Sequence, residues 1–404
     1  MISVWQKLRH RLAAHERVVI VSLATALVMT GQGILGPVLP VFARRFGVSV
    51  AAVGVVVAAF GLARLLLNVP LGWLSDRWGR RFLLVGGPLV VSVSMVFSGL
   101  AGSITSLTVW RFVAGAGSSM YMTGALVYIA DISTPANRAR LIGFNQGALL
   151  FGQSIGPGLG GLIAEQLGIR APFFFIAALT FVAGIYGFFR LPETRPDADE
   201  GPASGPRTTP TWRRLLISRL FVAAALVNFA VFFTRASTRT TLMPLFGVDV
   251  LGLSVGQIGA LLTGMAVVNL ALLPSASTLA DRFGRVRVIV PATLGMAVAL
   301  ALMAIAHSVP GFLVGSGLLA LATSISGPAP AALAADAVPA ESRGFALGLF
   351  RTVGDLGLLV GPPALGLVAD IADFGGAFGA NAVVVALITA VFIWAAAGRE
   401  RRAS

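Results

Sequence analysis

The sequence predicts an all-α membrane protein with twelve transmembrane helices in two six-helix repeats, and three observations support this prediction. The composition is 56% hydrophobic and 11% charged, with a mean hydropathy of +0.88, which is more apolar surface than a water-soluble fold can bury. Apolar runs of about 18 or more residues recur along the chain, as membrane-spanning helices require. An arginine-rich stretch occurs twice, as GWLSDRWGRR at 72–81 and STLADRFGRVR at 277–287. Duplicated halves with matching loops are typical of membrane transporters built from repeats.

The first six helices are separated by short polar loops. The first apolar run, from about Val18 to Phe42, follows a basic segment but lacks a signal-peptide cleavage pattern, so it is predicted as a retained helix. The second helix ends at the first arginine-rich stretch, the fourth ends before Asp131, and the sixth ends before Pro192. The predicted segments are 18–42, 50–73, 82–102, 106–130, 140–165 and 171–191.

The second half repeats this plan after a stretch rich in Pro, Gly, Asp, Glu, Thr and Arg, a composition typical of a mobile linker. Its predicted segments are 217–247, 254–277, 287–306, 310–334, 343–371 and 376–397. The predicted organisation is therefore a cytoplasmic tail at 1–17, a first half at 18–191, a cytoplasmic linker at 192–216, a second half at 217–397 and a cytoplasmic tail at 398–404.

The net charge of +14 has a topological explanation. Of the 30 Lys and Arg residues, 22 lie in the two tails and the even-numbered loops, three lie in odd-numbered loops, and five lie inside apolar segments. This asymmetry follows the positive-inside rule and predicts a multi-pass protein of the cytoplasmic membrane with both termini in the cytoplasm. The basic charge is therefore no sign of nucleic-acid binding, and no nucleic-acid partner is expected.

Composition also limits the chemistry. The chain has no cysteine, and its three histidines, His10, His15 and His307, lie in the N-terminal tail and a loop. A membrane enzyme would need a nucleophile with a base or a cluster of metal ligands, so neither an enzyme nor a metal site is expected. The sequence has no phosphate-binding loop of the G-x-x-x-x-G-K-[ST] kind, which argues against ATP hydrolysis. No cofactor is expected; the energy source would be a proton gradient, and the partners would be a small-molecule substrate, protons and membrane lipids.

The duplicated stretch extends to a second loop in each half. An arginine follows an aspartate by seven residues after helix 4, at Asp131 and Arg138, and again after helix 10, at Asp336 and Arg343. Glycine permits a tight turn and close helix approach, and an aspartate there could face the positive end of a neighbouring helix. Arg80 or Arg81 could reach Asp131 and latch the cytoplasmic side in one conformational state. The latch residues are Gly72, Asp76, Arg77, Gly79, Arg80 and Asp131 in the first copy, and Asp281, Arg282, Gly284, Arg285 and Asp336 in the second.

With these motifs the chain resembles the major facilitator superfamily over nearly its whole length. Helix 5 also carries Gly152, Gly156, Pro157, Gly160 and Gly161, which resembles the antiporter motif of drug:proton exchangers. Glycines four residues apart allow two helices to touch backbone to backbone. Helix 11 repeats part of this pattern with Gly357, Gly361, Pro362 and Gly366. The resemblance implies a secondary transporter working by alternating access, of the proton-coupled drug-export branch.

Three charged residues inside helices are candidates for proton coupling. Of the sixteen acidic residues, only Asp355 lies deep in a predicted helix, and Arg351 precedes it at the (i, i+4) spacing that brings side chains together. Exchange of that arginine contact for a proton would couple transport to a proton gradient; the alternative is a static ion pair that braces helix 11. Arg111 in helix 4 lies in a pattern similar to the superfamily's motif associated with proton handling, but it could also snorkel to the membrane surface.

The candidates to line a transport cavity are Gln32, Arg64, Asn228, Arg235 and Arg239. Many cation-exporting relatives carry an acidic residue near Gln32, and this chain has none there. The antiporter-type motif of helix 5 favours a proton-coupled exporter of small amphiphilic compounds. Two alternatives stay open: a carrier for an anionic lipid or organic anion, which the excess of arginines inside helices would suit, and a non-transporting receptor or sensor on a transporter scaffold.

Overall fold

The computed structural model describes residues 2–134, 137–194, 218–326, 329–336, 338 and 343–403. In its first half six long helices follow one another. They are α1 (Ile2–Arg44), α2 (Val50–Trp78), α3 (Arg80–Gly99), α4 (Ile104–Ile132), α5 (Arg138–Leu167) and α6 (Ala171–Arg190). Local sequence explains the boundaries: Ser103 accepts a hydrogen bond from Ser106 N and caps α4. α1 begins at Ile2, so it includes most of the segment predicted as the 1–17 tail.

The second half contributes six more membrane-spanning elements. They are α7 (Arg219–Thr234, a π-helical segment Arg235–Leu242, and Met243–Asp249), α8 (Val255–Phe283), α9 (Arg285–Ala304), α10 (Val309–Ser326 and Ala329–Asp336), α11 (343–371) and α12 (374–403). At the start of α8, Ser254 and Gln257 form a reciprocal capping box. Of the predicted 192–216 linker, 195–216 lie outside the described residues.

The break between α11 and α12 lies at Ala372 and Asp373, which leave helical geometry within the continuous stretch Arg343–Ala403. Asp373 has a φ of +65°, and its Oδ1 accepts a hydrogen bond from Gly376 N at 2.9 Å, which starts α12. Eleven helices in the described ranges are long and apolar enough to cross a membrane, and the last, Ala346–Ala397, has 52 residues and contains this break. The predicted twelve-helix fold class is confirmed.

The chain divides into two compact units. The first comprises Met1–Val38 and Leu62–Ser204, and the second comprises Leu39–Gly61 and Gly205–Ser404. Most of α2's first half therefore clusters with the second repeat, whereas the predicted halves separate at the linker. The repeat in sequence and the compact units in space have different boundaries.

In the first unit a core of apolar side chains joins α1, α4 and α5 and encloses a polar network. Thr25 Oγ1 donates to Asn145 Oδ1 at 2.8 Å and lies 2.9 Å from the Tyr121 hydroxyl, which in turn donates to Val21 O at 2.8 Å. All these side chains are buried. Buried polar groups that satisfy one another fix the relative rotation of the three helices.

In the second unit α11 packs on α7 and also on the start of α2. Asn228 Nδ2 donates to Phe350 O at 2.9 Å across the α7–α11 contact. At the start of α2, Val50 N and Ala51 N donate to the Asp370 carboxylate at 2.8 and 2.9 Å. The first N–H groups of a helix have no partner within the helix, so the carboxylate satisfies two of them and lies at the positive end of the helix dipole.

Candidate functional site

The first copy of the arginine motif forms an ion-pair network centred on Arg80, whose side chain is buried. Arg80 Nε donates to Asp131 Oδ2 at 2.9 Å, and Arg80 Nη1 lies 3.1 Å from Asp76 Oδ1. Arg80 Nη1 also donates to Ser75 O at 3.1 Å. The sequence allowed Arg80 or Arg81 to reach Asp131, and the structure selects Arg80. Arg81 instead donates to Phe188 O and lies over the Phe188 ring.

A residue that sequence reasoning left in the linker completes this network. The Glu193 carboxylate accepts from Arg80 N at 2.8 Å and from Arg81 N at 3.1 Å, so it caps the N-terminus of α3. Thr194 Oγ1 donates to Asp131 Oδ2 at 3.2 Å. The sequence Pro-Glu-Thr directly after helix 6 shows an acidic side chain at a helix end, but it does not indicate that this carboxylate reaches the start of α3.

Gly79 shows why the turn between α2 and α3 needs glycine. Its φ is +94°, a conformation that residues with a Cβ rarely adopt, and an added Cβ would overlap the Glu193 carboxylate. Gly72 was expected to serve close helix packing, but an added Cβ there would meet nothing within 4 Å. Asp76 was expected to face the positive end of a neighbouring helix. Instead its side chain is 71% exposed and pairs with Arg80 one turn away, and the carboxylate at the positive end of α3 belongs to Glu193.

The second copy is built differently from the first. Arg285 pairs with Asp336 and donates to Ala332 O, as Arg80 pairs with Asp131. Asp281 is exposed and belongs to no ion pair among the described residues, whereas its counterpart Asp76 pairs with an arginine. Gly284 repeats the positive φ, at +89°. Arg77 and Arg282 are both exposed and lie over the aromatic rings of Trp73 and Phe283.

The glycines of the antiporter motif bring α5 against α1. A Cβ added at Gly156 would lie 2.6 Å from Gly33 Cα, and one added at Gly152 or Gly160 would overlap the carbonyl oxygens of Ala26 or Ile34. Pro157 and Gly161 are buried in the same helix. The corresponding helices of the second half meet in the same way, since a Cβ at Gly357 would lie 2.6 Å from Phe229 O. We call the α1–α5 contact formed by Gly33, Gly152, Gly156 and Gly160 the glycine seam.

Asp355 is buried on α11, with 4% of its surface exposed. The predicted contact with Arg351 is wrong: Arg351 is exposed, and none of the ion pairs between described residues includes Asp355. The two positions are one turn apart, but Asp355 follows Gly354, which packs on Asn228 of α7, and its short side chain stays in that packed region. The longer arginine extends away to the surface.

The remaining helix-embedded candidates differ in their surroundings. Arg111 is 7% exposed, so it does not snorkel to the surface as one interpretation allowed. Gln32 Nε2 donates to Ser118 Oγ at 3.1 Å, which joins α1 to α4. Arg64 is half-buried in α2. Asn228 was a cavity candidate, but it is 9% exposed and its amide holds α11, so it is a packing residue here.

Arg235 and Arg239 lie on the π-helical segment of α7, which the sequence did not predict. Arg235 is exposed and Arg239 is half-buried, with Arg239 Nη2 donating to Leu262 O of α8 at 3.1 Å. Hydroxyl groups stabilise the wider turn, since Thr240 Oγ1 and Thr241 Oγ1 donate to carbonyl oxygens five residues earlier at 3.1 and 3.0 Å. π-Helical turns occur frequently at functional sites.

Comparison with known sequences assigns the chain to a family and gives relatives of low identity. The sequence model of the Major Facilitator Superfamily matches residues 21–256 and 229–404. Multidrug resistance protein 1 of Bacillus subtilis is 28% identical over 345 residues, covering 84% of this chain and 86% of the relative. Quinolone resistance protein NorA of Staphylococcus aureus is 25% identical over 346 residues, covering 85% and 88%.

Solved structures share the fold at lower identity still. A bacterial homolog of the human lysosomal transporter Spinster, in an inward-facing and occupied conformation, superposes with a TM-score of 0.76 at 16% identity and covers 94% of this chain and 96% of its own. The human organic anion transporter MFSD10 gives a TM-score of 0.66 at 19% identity, covering 94% and 99%. At these identities the likeness establishes the fold.

Proposed function

The chain belongs to the Major Facilitator Superfamily, and we propose that it exports small amphiphilic compounds in exchange for protons. Membership makes it a multi-pass membrane transporter rather than an enzyme. Export of amphiphiles is supported by the relatives named for multidrug and quinolone resistance. It is also supported by the glycine seam, whose α5 residues belong to the pattern that resembles the motif of drug:proton exchangers.

The buried carboxylate of Asp355 is the observation that carries proton coupling. Ionised carboxylates inside membrane proteins are costly and are usually paired or functional. Asp355 is 4% exposed, and no described cation forms an ion pair with it. Binding a proton removes the cost of its charge, and releasing that proton to the other side of the membrane restores the carboxylate. A group with this cycle can link substrate export to proton entry.

The arginine networks supply the second element of the mechanism. Arg80 holds Asp76 and Asp131 together, and Arg285 holds Asp336. These ion pairs stabilise the conformation in which they form, and the opposite conformation requires them to separate. Alternating access would follow when substrate and proton binding shift the balance between the two states by their different affinities for each. No cofactor enters this cycle.

The test uses purified protein in liposomes with an imposed pH gradient and fluorescent amphiphilic dyes of each charge. We expect Asp355→Asn to abolish dye accumulation driven by the gradient, because the amide cannot exchange a proton. Exchange of dye between equal internal and external concentrations, which needs no net proton movement, should continue. The readouts are gradient-driven accumulation and gradient-free exchange on the same preparation.

The matched control is Glu165→Gln, which neutralises an exposed carboxylate at the end of α5. It should retain both activities. A melting curve in detergent measures whether the Asp355→Asn protein is folded. Gradient-driven accumulation at the wild-type level in a folded Asp355→Asn protein would show that Asp355 does not carry the proton.

A further inference from the structure

α7 carries two arginines one turn apart in the middle of a membrane-spanning helix. The helix runs from Arg219 to Asp249, and Arg235 lies about 24 Å from its start at a rise of 1.5 Å per residue. Charged side chains at such a depth face the bundle interior or a water-filled cavity rather than lipid. Arg235 is exposed on the protein, and of these two surroundings an exposed guanidinium fits the water-filled cavity.

The two guanidinium groups belong to one face of the π-helical segment. Like charges one helical turn apart repel each other, and low dielectric strengthens the repulsion. None of the ion pairs found among the described residues supplies Arg239 with a carboxylate. Its hydrogen bond to Leu262 O uses one of the five N–H donors of a guanidinium and leaves its charge uncompensated. A bound anion would relieve this repulsion.

The other polar groups of the segment are occupied in holding the helices. Asn381 Nδ2 donates to the Thr238 hydroxyl at 2.8 Å, which joins α12 to α7. Ser237 Oγ donates to Phe233 O and Thr241 Oγ1 to Ala236 O. These three hydroxyl residues are buried, whereas Arg235 is exposed and Arg239 half-buried, so a ligand at this level would reach the two guanidinium groups. Half-buried Val231 and Phe232 lie one turn before Arg235 and offer apolar contact.

We propose that Arg235 and Arg239 bind the anionic group of the transported substrate, which makes the substrate an amphiphilic organic anion with a carboxylate, sulfonate or phosphate. Arginine suits this role because its planar donor fork matches the geometry of an oxyanion. The inference rests on the proposed transport function and names its substrate class. An anionic lipid headgroup has the same chemistry, and the test separates the two sources.

The probes are two dyes with one aromatic scaffold. Anilinonaphthalene sulfonate carries an anionic group, and phenylnaphthylamine lacks it. Binding to purified protein in nanodiscs of phosphatidylcholine is measured by titration, without any pH gradient. We expect wild-type protein to prefer the sulfonate, and Arg235→Ala and Arg239→Ala each to reduce that preference about tenfold, as loss of a charge-assisted hydrogen bond predicts.

Three further variants separate the effect of charge from that of donor geometry and from loss of any surface arginine. Arg235→Lys and Arg239→Lys keep the positive charge and lose the planar fork, so each should retain part of the preference. Arg287→Ala, which removes an exposed arginine from the first turn of α9, should retain all of it. Equal affinity of wild-type protein for the two dyes, or an unchanged preference in folded Arg235→Ala and Arg239→Ala proteins, would overturn the assignment.

A lipid arm identifies the source of the anion. If added phosphatidylglycerol displaces the sulfonate dye from wild-type protein and the dye is not transported, the pair binds a lipid headgroup and the substrate assignment is wrong. Dye transport that depends on Arg235 supports the substrate assignment. Sulfonate binding is measured without a gradient, so it does not depend on proton coupling. An Asp355→Asn protein that loses proton coupling and keeps the sulfonate preference would show that the two proposals can fail separately.

Discussion

Gly79 illustrates how one residue sets both a turn and a functional network. Its positive φ lets α2 end and α3 begin with a single residue between them, which places Arg80 next to Asp76, Asp131 and Glu193. The motif could be found in the sequence because glycine and aspartate recur at fixed spacing. Glu193 could not be assigned from the sequence, because its partners lie more than a hundred residues earlier and meet it only through packing of α6 on α3.

Three glycine-to-alanine substitutions separate the possible roles of glycine in this motif. Gly79→Ala should lower stability by roughly 1–3 kcal/mol through backbone strain. The overlap of its Cβ with the Glu193 carboxylate should add to this loss of stability. Gly284→Ala should show the strain alone, since an added Cβ meets nothing within 4 Å. Gly72→Ala, inside a helix with open space around it, should raise stability by about 0.5–1 kcal/mol. Melting temperatures in detergent give the order, and equal values for Gly79→Ala and Gly284→Ala would exclude the carboxylate contact.

At the scale of elements, the glycine seam and its counterpart in the second half show how one packing rule is used twice. α5 approaches α1, and α11 approaches α7, so closely that backbone atoms touch. The spacing of glycines predicted such contacts but not the partner helix. The partner depends on the orientation of each helix, which is fixed by groups such as Asn145 in the first unit and Asn228 in the second.

The seam can be tested with two substitutions in the same helix. Gly156→Ala places a Cβ 2.6 Å from Gly33 Cα and should cost roughly 1–3 kcal/mol as overpacking. Gly147→Ala lies in α5 with nothing within 4 Å of its Cβ and should leave stability unchanged or slightly higher. Melting temperature and transport rate are measured for both proteins. If both changes are tolerated equally, the close approach of α5 to α1 is absent in the membrane.

At the scale of the whole molecule, the distribution of charge predicts the orientation of the protein. The arginine networks lie at the helix ends on the side that the positive-inside rule assigns to the cytoplasm. The Asp370 carboxylate caps the start of α2, whereas Asp76 of the first network lies near the other end of the same helix. The predicted orientation therefore places the arginine networks and the Asp370 cap on opposite sides of the membrane.

Orientation can be measured by cysteine labelling, because the chain has no cysteine of its own. Ser204→Cys, in the linker outside the described residues, should stay unlabelled by an impermeant maleimide in intact cells. Ser308→Cys, between α9 and α10, should be labelled. Permeabilised cells serve as the control and should label both variants. The reverse pattern in intact cells would invert the predicted orientation.

The sequence by itself determined the number of spanning helices, their division into repeats and the loops that carry arginine, because these depend on local hydropathy and spacing. The tertiary structure alone decided which charges meet. Among the described residues, Asp355 forms no ion pair with Arg351, Arg80 pairs with both Asp76 and Asp131, and Asp281 belongs to no ion pair. The tertiary structure also placed two arginines on a π-helical turn. A helix in an apolar solvent can rotate about its axis without changing its hydropathy. The direction in which its few polar groups point is therefore set by packing against its neighbours.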